Sequence, residues 1–444
     1  MLQTLKNIFS VKDIRKKLLF TVFIILLFRF GTFISVPGFD KLTFNEQAGA
    51  AGGLAATINL ISGGAFGRFS IFAMTIGPYI TASIVLNLLQ VVIPSLEKLA
   101  REGEEGKKRL SKYTKYLTIV FALVEGLGLY ITYKNYLLTP LQSGAGAVMG
   151  CILFMTSLIA GTALLTWLGD KITEFGIGNG ISMIVFVGII SRIPSGVVTL
   201  FKYANGGITN VLIVVALILA MIVVIAGVIY VQQAERRIPV NYAKRVVGRK
   251  MYGGQNTHIP IKVAMAGVMP IIFAMSFMMF PSTIISLCTH GNPSGFWAVV
   301  NNIFSVSQGS AWYYLLAYSI IYLVLIIAFT FVYTMFIVNP VEISNQLKKN
   351  GGFIPGIRAG KNTSEYISKV LKYITSFGAV FLAAIAILPI LLQGVMPFSI
   401  TFGGTSVLII VSVALEVLKN VETQMVSRHY TGSVSYTHLR AHET

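Results

Sequence analysis

The segment Glu235–Lys262 reads ERRIPVNYAKRVVGRKMYGGQNTHIPIK and lies between two apolar runs that are each long enough to cross a bilayer. Against the single acid Glu235, its basic residues are Arg236, Arg237, Lys244, Arg245, Arg249, Lys250 and Lys262. Because basic loops stay on the cytoplasmic side of a membrane, this segment fixes the orientation of both neighbouring runs. It is longer than a turn needs to be, so we also expect it to be a docking surface.

The composition places the chain among membrane proteins. Hydrophobic residues make up 55% of the 444 residues and charged residues only 11%, whereas a soluble domain carries roughly 25% charge. The apolar background argues against nucleic acid as the partner of the net charge of +19. Cys151 and Cys288 lie in different apolar regions, so we predict neither a disulfide framework nor a metal site.

Ten apolar segments are long enough, or nearly so, to be membrane-spanning helices. They are Leu18–Val36, Phe72–Ile93, Tyr116–Thr132, Met149–Leu168, Ile181–Leu200, Val211–Val231, Val263–Leu287, Trp312–Val338, Val370–Leu392 and Thr405–Leu418. The first segment follows a basic start and has no clear cleavage site, so we interpret it as a retained span and not as a signal peptide.

The distribution of basic residues supports this count. With the N-terminus inside, the inner segments 1–17, 94–115, 169–180, 232–262, 339–369 and the tail from 419 hold 28 of the 35 Lys and Arg residues. The outer side holds five of them, namely Lys41, Arg68, Lys134, Arg192 and Lys202. The asymmetry follows the positive-inside rule, and one span more or fewer would destroy it.

Ten spans divide into two halves of five, and an odd number per half gives the halves opposite orientations in the membrane. We therefore predict an all-α integral membrane protein in which two inverted five-helix halves, residues 1–201 and 210–432, surround a central pore. The connection 202–209, KYANGGIT, is the predicted hinge because its two glycines give the backbone freedom.

The segment Leu54–Ile80 breaks the pattern, because a short apolar piece is interrupted by Gly63, Gly64 and Gly67 before span 2 begins. Two interpretations stay open. A half-helix can fold back into a cavity lined by protein, or it can lie at the outer membrane surface as an interfacial helix.

Enzymatic motifs are missing from the sequence. There is no HExxH, CxxC or GxSxG, and the glycine-rich stretches at 101–108 and 176–180 do not fit a phosphate-binding loop. We interpret GIGNG at 176–180 as a tight turn that leads into span 5. The chain is therefore predicted to be no enzyme and to need no cofactor, so any energy comes from another protein or from the membrane potential.

Residues inside the spans offer two further signals. Arg29, Glu125 and Glu416 are ionisable, and we favour structural hydrogen bonds between helices over ion coupling for each of them. Aliphatic pairs one helical turn apart, Ile76 with Ile80 and Ile181 with Val185, share one face of their helices. A ring of such residues would make a constriction that excludes water.

Several long motifs, in order along the chain, resemble the SecY family, whose members form the central subunit of the bacterial protein-translocation channel. The motifs are FAMTIGPYITASI (72–84), EFGIGNGIS (174–182), RIPVNYAKR (237–245), QNTHIP (255–260), MAGVMP (265–270), FIPGIRAGKNT (353–363) and FGGTS (402–406). The tail after Gly432, SVSYTHLRAHET, departs from the family and is assigned no function.

The resemblance implies an hourglass pore that opens across the membrane and sideways into lipid. The family's pore ring corresponds to Ile76, Ile80, Ile181, Val185, Ile272 and Ile409. The plug that blocks the channel from outside corresponds to the segment about 54–68, with Leu60, Ile61, Gly63 and Gly64. Asn87 matches a polar position of the lateral gate, which lies between spans 2–3 and 7–8.

The resemblance also implies partners and a location. The inner loops 232–262 and 339–369 resemble the docking site for the SecA motor or the ribosome, with Arg358 at a position important for motor-driven transport. The small membrane subunits SecE and SecG, signal peptides and translocating polypeptides are implied partners, in a bacterial plasma membrane with both termini in the cytoplasm. The alternatives are an inverted-repeat transporter for a small solute, which would need a polar site at the midplane, and a scaffold or insertase without a pore.

Overall fold

A computed structural model describes residues 11–39, 59, 62–141, 144–242, 245–247, 250–252, 256–289, 294–305, 311–395 and 404–441. Helices dominate this part of the chain. The first seven are α1 (Lys12–Gly31), α2 (Gly77–Val92), α3 (Pro94–Arg101), α4 (Glu104–Tyr133), α5 (Gly144–Phe175), α6 (Gly180–Ile190) and α7 (Ile193–Ala204). The others are α8 (Ile208–Gln233), α9 (Met269–Cys288), α10 (Phe296–Phe304), α11 (Trp312–Ile337), α12 (Pro340–Lys349), α13 (Lys361–Val395) and α14 (Gly404–Ala441).

Each of the ten predicted spans overlaps one of these helices or, for span 5, the pair α6 and α7. Within the described residues, six helices are long and apolar enough to cross a membrane. A seventh span arises if α2 and α3 are taken together across their 106° bend. The total of ten spans and the inverted relation of the halves therefore stay predictions.

The chain forms two compact units. The first contains Met1–Lys202, Ser276–Tyr314 and Ile409–Thr444, and the second contains Tyr203–Met275 and Leu315–Leu408. The predicted division into residues 1–201 and 210–432, joined by a hinge at 202–209, stays a prediction.

Aromatic rings fill much of the core of the first unit. Phe66, Phe69 and Phe154 are buried there together with Phe39 and Leu137. The rings of Phe39 and Phe69 stack with their centroids 4.1 Å apart. This cluster fixes the irregular segment between α1 and α2, because large buried rings lose much packing energy if the segment moves.

The turn before α6 has the conformation that its sequence indicates. Gly178 has a φ of 76°, in the left-handed region that favours glycine. Asn179 caps the helix, because its side-chain oxygen accepts a hydrogen bond of 3.0 Å from the N–H of Ile181. The prediction of a tight turn at 176–180 is confirmed.

The second unit contains a feature that the all-α prediction missed. The basic segment forms strands, namely β1 (Glu235–Tyr242), β2 (Arg245–Val247), β3 (Lys250–Tyr252) and β4 (Asn256–Lys262), and a further strand, β5 (Gly352–Phe353), joins them. β1 lies between β4 and β5 in one antiparallel sheet, and β2 pairs with β3.

The alternation of side chains along β1 explains this sheet. Ile238 and Val240 are buried whereas Arg236, Arg237 and Pro239 are exposed, which is the two-residue period of a half-buried strand. The buried side chains pack with Ile261 on β4 and with apolar residues of α12 and α13. A sheet with one covered face is stable, so this small sheet, which was not predicted from the sequence, is an addition to a fold that is otherwise helical.

Candidate functional site

Five of the six residues of the predicted pore ring lie on four helices, and Ile76 comes directly before one of them. Ile76 precedes α2 and Ile80 lies one turn into it, since the Ile80 N–H donates to the Ile76 carbonyl over 3.0 Å. Val185, Ile272 and Ile409 are buried on α6, α9 and α14, while Ile181 is half-buried on α6. Ile272 belongs to the second unit and the other five belong to the first. That these side chains form one ring stays a prediction.

The predicted plug is described from Ser62 onward and at Asn59, while Leu60 and Ile61 lie outside the described residues. Residues 62–66 are buried. An interfacial helix would keep one face in contact with lipid or water. Of the two interpretations, burial favours a segment folded into a cavity lined by protein.

Asn59 organises the turn at Gly63 and Gly64. Its carbonyl accepts the N–H of Gly64 over 2.9 Å, and its side-chain oxygen accepts the N–H of Gly67 over 2.9 Å. Gly63 and Gly64 have φ values of 64° and 90°, which a residue with a Cβ adopts only at a cost. A Cβ on Gly63 would also lie 2.7 Å from the Ser191 hydroxyl.

Arg29 joins this turn to two helices. Its Nη1 donates to the Gly63 carbonyl over 3.2 Å and to the Ser191 hydroxyl over 3.0 Å, and the Ser191 hydroxyl donates to the Gly188 carbonyl over 2.7 Å. Arg29 lies on α1, and Ser191 directly follows α6. The sequence marked Arg29 as a hydrogen-bonding residue but gave no signal for its partners, which lie far away along the chain.

The region of the predicted lateral gate shows two contacts that the sequence did not indicate. Phe121 on α4 and Phe280 on α9 meet edge to face. Glu125, one turn after Phe121, lies 3.5 Å from the Thr81 hydroxyl on α2, at the limit of a hydrogen bond. The Glu125 contact fits a structural hydrogen bond between helices. Asn87 accepts a bond of 3.4 Å from Gln90 on its own helix, so its role across the gate stays a prediction.

The predicted docking residues lie on or near the sheet. Arg236 and Arg237 are exposed on β1, and the Arg237 Nε lies 2.7 Å from Glu235. Arg245 lies on β2 and Lys250 on β3, while Lys244 and Arg249 fall outside the described residues. Arg358 is exposed in the connection from β5 to α13. Because β5 pairs with β1 at Asn241 and Phe353, the two basic loops share one sheet.

The described residues offer no group of three or more His, Cys, Asp or Glu side chains that could hold a metal ion. The expected absence of a metal site stays a prediction.

Comparison with known proteins identifies the family. The family model of SecY matches residues 70–418. Over 444 residues the chain is 43% identical to the protein translocase subunit SecY of Halalkalibacterium halodurans, with 98% of this chain and 100% of that protein covered. The chain belongs to the SecY family.

Other relatives and solved structures agree with this assignment. The SecY subunit of Thermotoga maritima is 40% identical, with 99% of each chain covered. A structure described as that of a protein-conducting channel matches with a TM-score of 0.68 at 20% identity, covering 93% of each chain. Sec61 in a canine ribosome-channel complex matches with a TM-score of 0.63 at 19% identity, covering 93% of each chain. At these identities the structures show that this SecY-family chain has the SecY/Sec61 fold.

Proposed function

We propose that this SecY-family chain is the protein-conducting channel of a Sec translocase. It passes unfolded secretory proteins across the membrane and releases hydrophobic segments sideways into lipid. The observation that carries the proposal is the match to SecY translocase subunits over nearly the full chain. The chain performs no catalysis itself, so the motion of the polypeptide is driven from outside the channel.

The proposed architecture has ten spans in two inverted halves, 1–201 and 210–432, with a hinge at 202–209. The pore ring consists of Ile76, Ile80, Ile181, Val185, Ile272 and Ile409. An aliphatic ring favours the interpretation of a passive pore. Such a constriction closes by excluding water, and it can surround a polypeptide that moves through it. A small-solute transporter would need polar groups at the midplane instead.

The proposed plug contains Leu60, Ile61, Gly63 and Gly64. Its support is the burial of residues 62–66 and the hydrogen bond from Arg29 to the Gly63 carbonyl. The proposed lateral gate includes Asn87 on α2 and is supported by the contact of Phe121 on α4 with Phe280 on α9. Rings that meet in this way separate when a segment passes between their helices.

The proposed docking surface is the basic segment Glu235–Lys262 together with β5 and the connection that carries Arg358. Arg236, Arg237, Lys244, Arg245, Arg249 and Lys250 give it positive charge, which attracts acidic proteins and ribosomal RNA over long distances. A solved relative is part of a ribosome-channel complex, so we propose the ribosome as a partner. SecA is the proposed motor and SecE and SecG are the proposed small subunits, in a bacterial plasma membrane with cytoplasmic termini.

Reconstitution tests the function. The chain, purified with its co-purifying subunits, is placed in liposomes with an energised motor outside. An unfolded precursor with a signal sequence should become protected from protease, and a precursor without one should stay accessible. Uptake of small solutes without any passage of polypeptide would instead support a transporter, and neither activity would support a scaffold.

A further inference from the structure

Two arginine side chains reach the turn at Gly63 and Gly64, and a third arginine shares an aromatic ring with one of them. Arg29 donates to the Gly63 carbonyl over 3.2 Å. Arg192 places its Nη1 3.4 Å from the position that a Cβ on Gly64 would take. The Arg68 guanidinium, from the same segment as the turn, lies 4.3 Å from the ring centroid of Phe33, and the Arg29 guanidinium lies 6.0 Å from that same centroid.

No carboxylate of the described residues forms an ion pair with any of these three arginines. Arg68 is instead the neighbouring charge that acts on both Arg29 and Arg192. Like charges repel one another, and the repulsion grows where water is partly excluded. The cluster therefore lacks a counter-charge within the part of the chain that the structure describes.

Unused hydrogen-bond donors accompany this excess of charge. The Arg192 Nε is buried and has no hydrogen-bond partner among the described residues. The hydrogen bonds that the structure gives Arg29 all start from Nη1, although a guanidinium carries five N–H donors. Buried N–H groups without an acceptor are costly, and paired guanidinium donors match the oxygens of phosphate in geometry and charge.

We propose that Arg29, Arg68 and Arg192 form a binding site for a phosphate group against the Gly63–Gly64 turn. The ligand is a tetrahedral oxyanion, which is either free phosphate or the phosphate in the headgroup of an anionic lipid. Arg68 belongs to the turn segment, whereas Arg29 and Arg192 belong to the helices around it. The bound anion offsets the repulsion between Arg68 and the other two arginines, Arg29 and Arg192. It thereby holds the turn in place.

Binding is measured first and without reference to transport. The channel complex is purified in a maltoside detergent, stripped of lipid, and titrated with inorganic phosphate by calorimetry at constant ionic strength. One phosphate should bind per chain, and Arg68→Gln or Arg192→Gln should weaken binding at least about tenfold. Arg68 is exposed, so its variant should fold normally. Lys134→Gln, at another exposed basic residue, is the matched control and should bind as the wild type does.

A second arm separates the two sources of phosphate. The same proteins are placed in nanodiscs of phosphatidylcholine with a minor fraction of phosphatidylglycerol, and the lipids retained after extraction are identified by native mass spectrometry. Retention of phosphatidylglycerol by the wild type and its loss in both arginine variants assigns the site to a lipid headgroup. Binding of inorganic phosphate alone assigns it to the free ion. If the wild type binds neither, or if both variants bind like the wild type, the proposal is overturned.

The effect on the closed channel rests on the proposed plug and has its own readout. Phosphate should lower the resting ion conductance of the wild type severalfold and should leave Arg68→Gln unchanged. If phosphate binds but conductance does not respond, the binding site stands and the plug assignment fails. If Gly63→Ala raises conductance but phosphate never binds, the plug assignment stands and the site fails.

Discussion

The rings of Phe121 and Phe280 meet edge to face, with their centroids 6.2 Å apart and their planes at 73°. Phe121 belongs to α4 and Phe280 to α9, so this contact joins the two sides of the proposed lateral gate. Such a pair contributes about 0.5–1.5 kcal/mol beyond the area that it buries. In the proposed gate, a departing hydrophobic segment would have to break this contact.

Phe121→Ala is expected to increase the population of the open gate roughly two- to tenfold, since the lost ring contact favoured the closed state. Export of a precursor with a weakened signal sequence measures this change. Phe23→Ala, at an exposed position on α1, is the matched control and should leave export unchanged. Equal effects of the two substitutions would show that the ring pair does not hold the gate.

Gly63→Ala is expected to raise the resting ion conductance. The new Cβ would lie 2.7 Å from the Ser191 hydroxyl and 2.9 Å from the Gly188 carbonyl, so the turn must leave its site. The left-handed backbone alone costs about 1–2 kcal/mol. Gly103→Ala separates the two causes, because Gly103 has a φ of 78° but no atom within 4 Å of a Cβ. Conductance that rises equally in both variants would contradict the plug assignment.

Ile80→Asn and Ile409→Asn are each expected to raise ion conductance and to relax the selection of signal sequences. Both side chains are buried, and a polar amide in an aliphatic constriction stabilises water there. The aliphatic replacements Ile80→Val and Ile409→Val should keep the seal. Planar-bilayer recordings of the four variants test the ring, and unchanged conductance in both Asn variants would remove these residues from it.

Arg358→Glu is expected to lower motor-driven export about tenfold or more, since a reversed charge repels an acidic partner surface. The effect should shrink at high salt, because ions screen exposed charges. Lys134→Glu also reverses the charge of an exposed basic residue, outside both basic loops, and should not alter export. Membrane insertion of the channel itself, followed by immunoblotting, should be normal in both variants. Normal export by Arg358→Glu would rule out its docking role.

Apolar runs made most helices predictable from sequence. The run Ile208–Gln233 is one helix in the structure, and it was predicted within a few residues at each end. The strands escaped prediction because their apolar pattern is short and lies within a strongly basic segment that contains Arg236 and Arg237. Ile238 and Val240 alternate with exposed residues, and this two-residue period was readable in the sequence.

The contacts of the candidate site were beyond sequence reasoning. Arg29 and Ser191 are 162 positions apart, and no local pattern marks one as the partner of the other. Phe121 and Phe280 are two of 29 phenylalanines, and the sequence does not distinguish a phenylalanine that contacts another helix from one that faces lipid. Such pairs depend on how helices pack, and periodicity gives the face of a helix without its neighbour.

The ladder between β1 and β4 runs from Glu235 paired with Lys262 to Asn241 paired with Asn256. It continues toward the helices, because the N–H of Val263 donates to the carbonyl of Ala234 over 2.9 Å. The chain leaving α8 and the chain approaching α9 are thus fastened together where they leave the sheet. A force on the far end of the sheet would therefore act on both strands together, and through them on the segments next to α8 and α9.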